Sequence, residues 1–126
     1  MQRLAIAALL IAGVIHLLPL PGVLGAAQLA RLYGVTVNDP NLEILLRHRA
    51  VLFGLLGALM IAAAFKPVWR LLASVLGLVS AVSFLAIALG VGQYNGALHR
   101  VVLADVVAIA CLLLALVVQL RAAPGG

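Results

Sequence analysis

Four long apolar runs, separated by short polar stretches, dominate the hydrophobic pattern of this chain. Each run is close to the length of about twenty residues that an α-helix needs to cross the hydrocarbon core of a bilayer. Strands of a membrane barrel would alternate apolar and polar positions, whereas these runs are continuous. The pattern predicts an all-α integral membrane bundle of four transmembrane helices in a single domain, residues 1–126, with spans at about 4–20, 40–65, 71–90 and 97–120.

The longest connection lies between the first two spans and carries a pattern of its own. Within residues 25–34 the larger apolar side chains fall on one side of a helical wheel, which predicts a short amphipathic helix on the membrane surface. Gly34 is the expected end of that helix. Asp39 is placed to cap the second span, with Pro40 at the first helical position. At the other end of the chain, we expect a frayed tail from Arg121 onward.

The composition agrees with a membrane protein and argues against a soluble one. Of the 126 residues, 67% are hydrophobic and 9% are charged. A soluble domain is nearer half apolar and a quarter charged, and a chain this short cannot bury so much apolar side chain. The net charge of +5 comes from basic residues that mostly flank the apolar runs, as membrane anchors do. We therefore expect membrane lipid as a partner and no nucleic acid, and a homo-oligomer or a membrane-protein partner is left open.

Topology and redox state follow from the positions of a few residues. The first run ends in Pro19 and Pro21 and is followed by further spans, so we read it as a retained helix rather than a cleaved signal peptide. The basic residues are evenly divided between the two sides, but Arg47 and Arg49 lie inside a helix and count less. We therefore place both termini in the cytoplasm. The single Cys111 cannot form an internal disulfide.

Three of the four spans combine a face of small residues with an ionisable residue. Residues three and four apart share one side of a helix, so Glu43 and Arg47 stand at the head of a stripe formed by Ala50, Gly54 and Gly57. Small stripes allow membrane helices to approach closely. Spans one and four have similar faces of small residues. His16 lies on or beside the face of span one, and Asp105 lies at the border of that of span four. The stripe of the second span is expected to dock against these two sides.

Depth along the helices brings these residues to one level. Counted at about 1.5 Å per residue, Asp105 lies about 24 Å from Arg121, and Arg49 lies about 26 Å from Lys66. Arg47 and Arg49 point to different sides of their helix; the small stripe favours Arg47 inside the bundle, and the depth match favours Arg49. We predict a polar cluster in the outer half of the bundle, made of His16, Glu43, Arg47 or Arg49, and Asp105, with Asn95, His99 and Arg100 above it.

Each deep member of this cluster has an architectural and a chemical interpretation. Asp105 is expected to be the counter-ion of an arginine that locks span four to span two, and the alternative is a proton-carrying or ligand-binding carboxylate. His16 is expected to be packed and hydrogen-bonded across helices. A b-type haem would need two imidazoles at one level on facing helices, but His16 is deeper than His48 and His99. We therefore predict no cofactor and no metal.

No motif of a soluble enzyme is present, since the chain lacks a P-loop, a Gly-rich nucleotide turn, GxSxG and HExxH. The chain does resemble a family of uncharacterised bacterial four-helix inner-membrane proteins that are distantly similar to the DoxX-like group. The resemblance covers nearly the whole chain and is carried by Leu32-Tyr33-Gly34, Asp39-Pro40-Asn41, Leu46-Arg47-His48-Arg49, Tyr94-Asn95 and His99-Arg100 followed by Asp105. It implies a multi-pass protein of the bacterial inner membrane and brings no established activity.

Members of that family are sometimes labelled phosphopantetheine adenylyltransferase. That enzyme family is soluble and binds its nucleotide through a His-x-Gly-His site, whereas this chain has Gly13-Val-Ile-His16 inside a predicted span, so we expect the label to be a misassignment. The expected function is a non-enzymatic accessory or structural membrane component with a buried Arg/Asp/His cluster and no catalytic residue. One alternative is a small oligomeric proton-coupled transporter with Asp105 as the coupling acid. The other is a membrane-embedded redox or lipid-linked enzyme.

Overall fold

The computed structural model describes residues 1–122, most of which are helical and none of which is in a strand. The predicted frayed tail lies mostly at positions 123–126, outside the described residues. Two short 3-10 segments, Leu20–Leu24 and Pro67–Trp69, connect longer helices. Within residues 1–122 the α-helices are α1 Gln2–Leu17, α2 Ala26–Tyr33, α3 Pro40–Phe65, α4 Arg70–Val91 and α5 Gly96–Ala122.

Four helical segments are long and apolar enough to cross a membrane, so the all-α class and the number of such helices are as predicted. The second one, α3, has the bounds predicted from the sequence. By contrast, α1 ends at Leu17, before the predicted end near Leu20. It stops there because Pro19 and Pro21 have no N–H groups with which to continue the helical hydrogen bonds, and the chain continues as a 3-10 helix.

Local sequence signals set the connection between α1 and α3. Helix α2 ends at Gly34, whose φ of 63° is left-handed, a conformation that glycine adopts without a steric penalty. Leu29 and Tyr33 of α2 are buried against the bundle, which confirms the predicted amphipathic character of this helix. At the start of α3, Oδ1 of Asp39 accepts a hydrogen bond of 2.9 Å from the Asn41 backbone N–H, so the predicted cap is confirmed.

The core depends on small residues that let the helices approach one another. Helix α1 packs extensively on both α3 and α5, and α5 also packs on α4, while α3 and α4 contact each other less. The α1–α3 contact brings backbone against backbone, since a Cβ added to Gly57 would lie 2.8 Å from the Gly13 carbonyl oxygen. The stripe of α3 therefore docks on α1 and, through Gly54 and Leu20, on the first 3-10 segment. The predicted second docking, against the Asp105 side of α5, does not involve this stripe.

The outside of the bundle is apolar along much of its length. Leu55, Val79 and Ile87 are each more than 60% exposed, with relative accessibilities of 65%, 62% and 67%. Monomeric soluble proteins rarely expose large continuous apolar surfaces. The surface of the bundle therefore fits an apolar environment better than water.

A buried arginine, Arg70, lies at the other end of the bundle and was not expected from the sequence. Arg70 is 5% exposed, and it donates hydrogen bonds to the Ala63 and Ala64 carbonyl oxygens at 3.2 and 2.7 Å and to Gln2 Oε1 at 2.8 Å. The last carbonyls of a helix have no partners within the helix and favour a cation. Arg70 supplies hydrogen-bond donors and a positive charge to the C-terminal end of α3. Through Gln2 it also connects α1 to the turn between α3 and α4.

Candidate functional site

The most densely contacted charged group at the α2 end of the bundle is the guanidinium of Arg49. Its Nη1 donates a hydrogen bond of 2.6 Å to Tyr33 Oη. Its central carbon lies 4.4 Å from the centroid of the Phe53 ring and 5.4 Å from those of Tyr33 and Phe84. Cations are attracted to aromatic faces at such distances, more strongly where water is excluded. One turn of α3 thus supplies Arg49 and Phe53, and α2 and α4 supply the other two rings.

Asp105 approaches the same arginine from α5 without touching it. Both residues line a small cavity of about 50 Å³, together with Phe53 and residues of α1 and its C-terminal end. Among residues 1–122 the only arginine–carboxylate contact within 4.0 Å is that of Glu43 with Arg47, so the predicted direct pair between Asp105 and an arginine does not form. The cavity has polar groups on its wall and is large enough for water, so its geometry fits a water-bridged pair.

His16 lies beside this cavity region with one nitrogen unpartnered. It is 1% exposed, and its ring stacks on Phe53 with centroids 5.6 Å apart. Its Nδ1 is 2.9 Å from the carbonyl oxygen of Ala12, one turn earlier in the same helix, so the predicted bond across helices is wrong. Because a carbonyl only accepts, Nδ1 carries the proton and Nε2 is left as an acceptor. Within the described residues Nε2 has no hydrogen-bond partner.

The structure places Arg49 inward and Arg47 outward, which answers the question that the sequence left open. Arg47 does lie on the small stripe, but the 3-10 segment covers that face at its level, and its Nε donates a hydrogen bond of 2.9 Å to the Val23 carbonyl oxygen. Its side chain is 46% exposed and lies 4.0 Å from that of Glu43. Glu43 and Arg47 therefore form a surface pair apart from the Arg49 contacts.

The remaining predicted members lie at the start of α5. Asn95 Nδ2 donates a hydrogen bond of 2.7 Å to the Tyr33 carbonyl oxygen, and its Oδ1 accepts one of 2.8 Å from the Leu98 N–H. It therefore caps α5 and holds the end of α2. His99 is exposed and stacks on Tyr94, with centroids 6.2 Å apart, and Arg100 is also exposed. Neither of the two is part of the group around Arg49.

This group, which we call the Arg49 cluster, thus consists of half-buried Arg49, Phe53 and Phe84 with buried Tyr33, Asp105 and His16. Sequence reasoning missed its three aromatic rings. Phe53 had a usable signal, because it follows Arg49 by one helical turn and so shares its face. Phe84 had none, because its approach depends on how α4 packs against α3.

A groove runs between α3 and α4 and passes the Arg49 cluster. Its inner stretch, of about 400 Å³, is lined by leucines of both helices with Val79 and Ser80. The middle stretch, of about 290 Å³, shares Ser80 with the inner one and reaches Arg49 and Phe84. The outer stretch, of about 320 Å³, shares Arg49 and Phe84 and ends at Tyr33 and apolar residues of α3 and α5. Arg49 lies at the junction and is the only charged residue in the lining of these stretches.

Residues 1–122 contain no group of three or more His, Cys, Asp or Glu side chains with the proximity needed to hold a metal ion. Comparisons with protein-family models, with curated proteins and with solved structures give no match for this chain. The interpretation of the site therefore depends on the geometry of the cluster and of the groove.

Proposed function

We propose that this chain is a multi-pass component of a bacterial inner membrane, with an accessory or structural role and no catalysis of its own. In this proposal the Arg49 cluster is an architectural lock. The observation that carries it is the set of contacts around one cation: Tyr33 from α2, Phe53 from α3, Phe84 from α4, and Asp105 of α5 across a small cavity. A single guanidinium thereby has side chains from four helices of the same chain around it.

The energetics of a membrane interior support a lock of this kind. A charge in an apolar medium is costly, and ionisable residues in membrane helices pair with one another or face the inside of a bundle. Removing one partner of a buried pair leaves the other uncompensated, which is strongly destabilising. Separating the helices around Arg49 would remove its aromatic and polar neighbours and expose more of the guanidinium to lipid. The cluster therefore favours the assembled bundle over partly separated helices.

The lock is tested by Asp105→Asn, with Glu43→Gln as the matched control. Both changes remove one negative charge. Glu43, however, pairs with Arg47 at the surface, where both side chains are more than a third exposed. We expect Asp105→Asn to lower the free energy of unfolding in detergent by about 2–3 kcal/mol, somewhat less than for a buried pair in direct contact, and Glu43→Gln to change it by less than about 1 kcal/mol. Equal effects of the two variants would contradict the lock.

A proton-coupled carrier is the second candidate, and one observation favours it. The unpartnered Nε2 of His16 and the carboxylate of Asp105 belong to buried residues that both lie close to Phe53. His16 stacks on its ring, and Asp105 lines the same small cavity as Phe53. If the chain carries protons, Asp105→Asn would fold with wild-type stability and would abolish proton flux into proteoliposomes. If Asp105→Asn is less stable and the wild type itself shows no proton flux, the result contradicts the carrier and supports the lock.

A further inference from the structure

The groove between α3 and α4 is lined in part by the Arg49 cluster, but the lock does not account for its apolar stretches. Its three stretches adjoin one another, because each shares lining residues with the next. It is also open along its side, so that an elongated molecule can enter from the surrounding medium rather than from inside the bundle. Its lining is mostly apolar, and the middle stretch adds Arg49 and two serines, Ser80 and Ser83.

Arg49 has hydrogen-bond donors available for a ligand in this groove. A guanidinium carries five N–H donors, and one nitrogen, Nη1, is engaged with Tyr33. Asp105 lies behind the arginine in the separate small cavity and does not line the groove. The groove therefore presents a cation without a carboxylate in its lining, and charge complementarity favours an anionic group at that point.

We propose that this groove binds an anionic phospholipid, with its phosphate at Arg49 and one acyl chain along the inner stretch of the groove. Guanidinium and phosphate form charge-assisted hydrogen bonds with a good geometric match. Basic pockets between membrane helices are known to take lipid headgroups. A zwitterionic lipid fits less well, because its ammonium group meets no carboxylate in the lining. This inference goes beyond the architectural role and does not depend on it.

The depth of Arg49 agrees with a headgroup at this position. From Arg49 to Phe65, the end of α3, the helix rises by about 24 Å, compared with about 30 Å for a hydrocarbon core. Arg49 therefore lies near one boundary of the core, within the reach of a long side chain that extends toward the headgroups. The leucines of the inner stretch, such as Leu55 and Leu76, then lie at the depth of acyl chains.

The test is native mass spectrometry of the purified full chain in detergent, titrated with phosphatidylglycerol or with phosphatidylcholine of the same acyl chains. The phosphate contact with Arg49 is common to the two lipids, but phosphatidylcholine also brings an ammonium group close to this cation. We therefore expect the wild type to bind phosphatidylglycerol about tenfold more tightly. Arg49→Gln should remove this preference, and Arg47→Gln should keep it, because Arg47 does not line the groove.

A second variant keeps the test decisive if Arg49→Gln fails to fold. Ser83→Phe places a ring in the middle stretch without changing the Arg49 cluster, and Val82→Phe is its control, one residue away at an exposed position outside the groove. We expect Ser83→Phe to bind phosphatidylglycerol at least about tenfold more weakly than Val82→Phe. Equal binding by these two variants, or equal binding of both lipids by the wild type, would overturn the proposal.

Discussion

Replacing Gly57 by alanine tests the close approach of α1 and α3, on which the small core of the bundle depends. A Cβ at this position would lie 2.8 Å from the Gly13 carbonyl oxygen and 2.9 Å from Cγ of Leu17. The first of these contacts is with backbone, which cannot rotate away, so the two helices have to move apart. Extra methyl groups in a well-packed core cost about 1–3 kcal/mol. Alanine also favours the helix over glycine by about 1 kcal/mol, which offsets part of that loss.

The matched control is Gly90→Ala in α4, where an added Cβ meets nothing within 4 Å. This variant gains helix propensity without a steric cost, so we expect it to be unchanged or more stable by up to about 1 kcal/mol. Gly90 lies in the last turn of its helix, where the gain in propensity is smaller. The difference in stability between the two variants is therefore a lower bound on the steric cost at Gly57, and we expect Gly57→Ala to be the less stable one by about 1–2 kcal/mol.

The measurement is reversible unfolding of the purified protein in mixed micelles with increasing denaturing detergent, followed by circular dichroism. Thermal unfolding of the same samples supplies an independent order of stability. If Gly57→Ala is as stable as Gly90→Ala, then α1 and α3 do not meet through their backbones at Gly13, and the packing described for the core is wrong.

The remaining predictions concern polar contacts at the two ends of the bundle. In the same unfolding assay, Arg70→Lys should lose about 2–3 kcal/mol of stability, because an ammonium cannot reach the Ala63 and Ala64 carbonyls and Gln2 together. The control is Arg121→Lys, the same change at an exposed position, which should lose almost nothing. Asn95→Ala should cost about 1–2 kcal/mol and speed hydrogen exchange at the start of α5, since it removes the cap and the contact with α2; unchanged exchange there would contradict the capping role.

Patterns that depend on one helix were predictable from the sequence, and contacts between helices were less so. Length and hydropathy gave the helices, and the local chemistry of Asp39 and Gly34 gave two of their ends. The choice between Arg47 and Arg49 was not available, because it depends on the 3-10 segment that covers the Arg47 face. Matching depths brought Asp105 and Arg49 to one level, but depth alone does not give the separation of two side chains, and a cavity lies between them.

The lock and the groove have a common origin in the sequence of α4. Its buried residues nearest the Arg70 end are Ala73, Ser74 and Gly77, and Gly77 leaves room for Met60 of α3. Small residues at these positions let the two helices meet. Farther along, Phe84 occupies the position between them, and its ring reaches the Arg49 guanidinium instead of the α3 backbone. The same ring lines the middle and outer stretches of the groove, so one side chain both contacts the cation and forms part of the wall of the proposed lipid site.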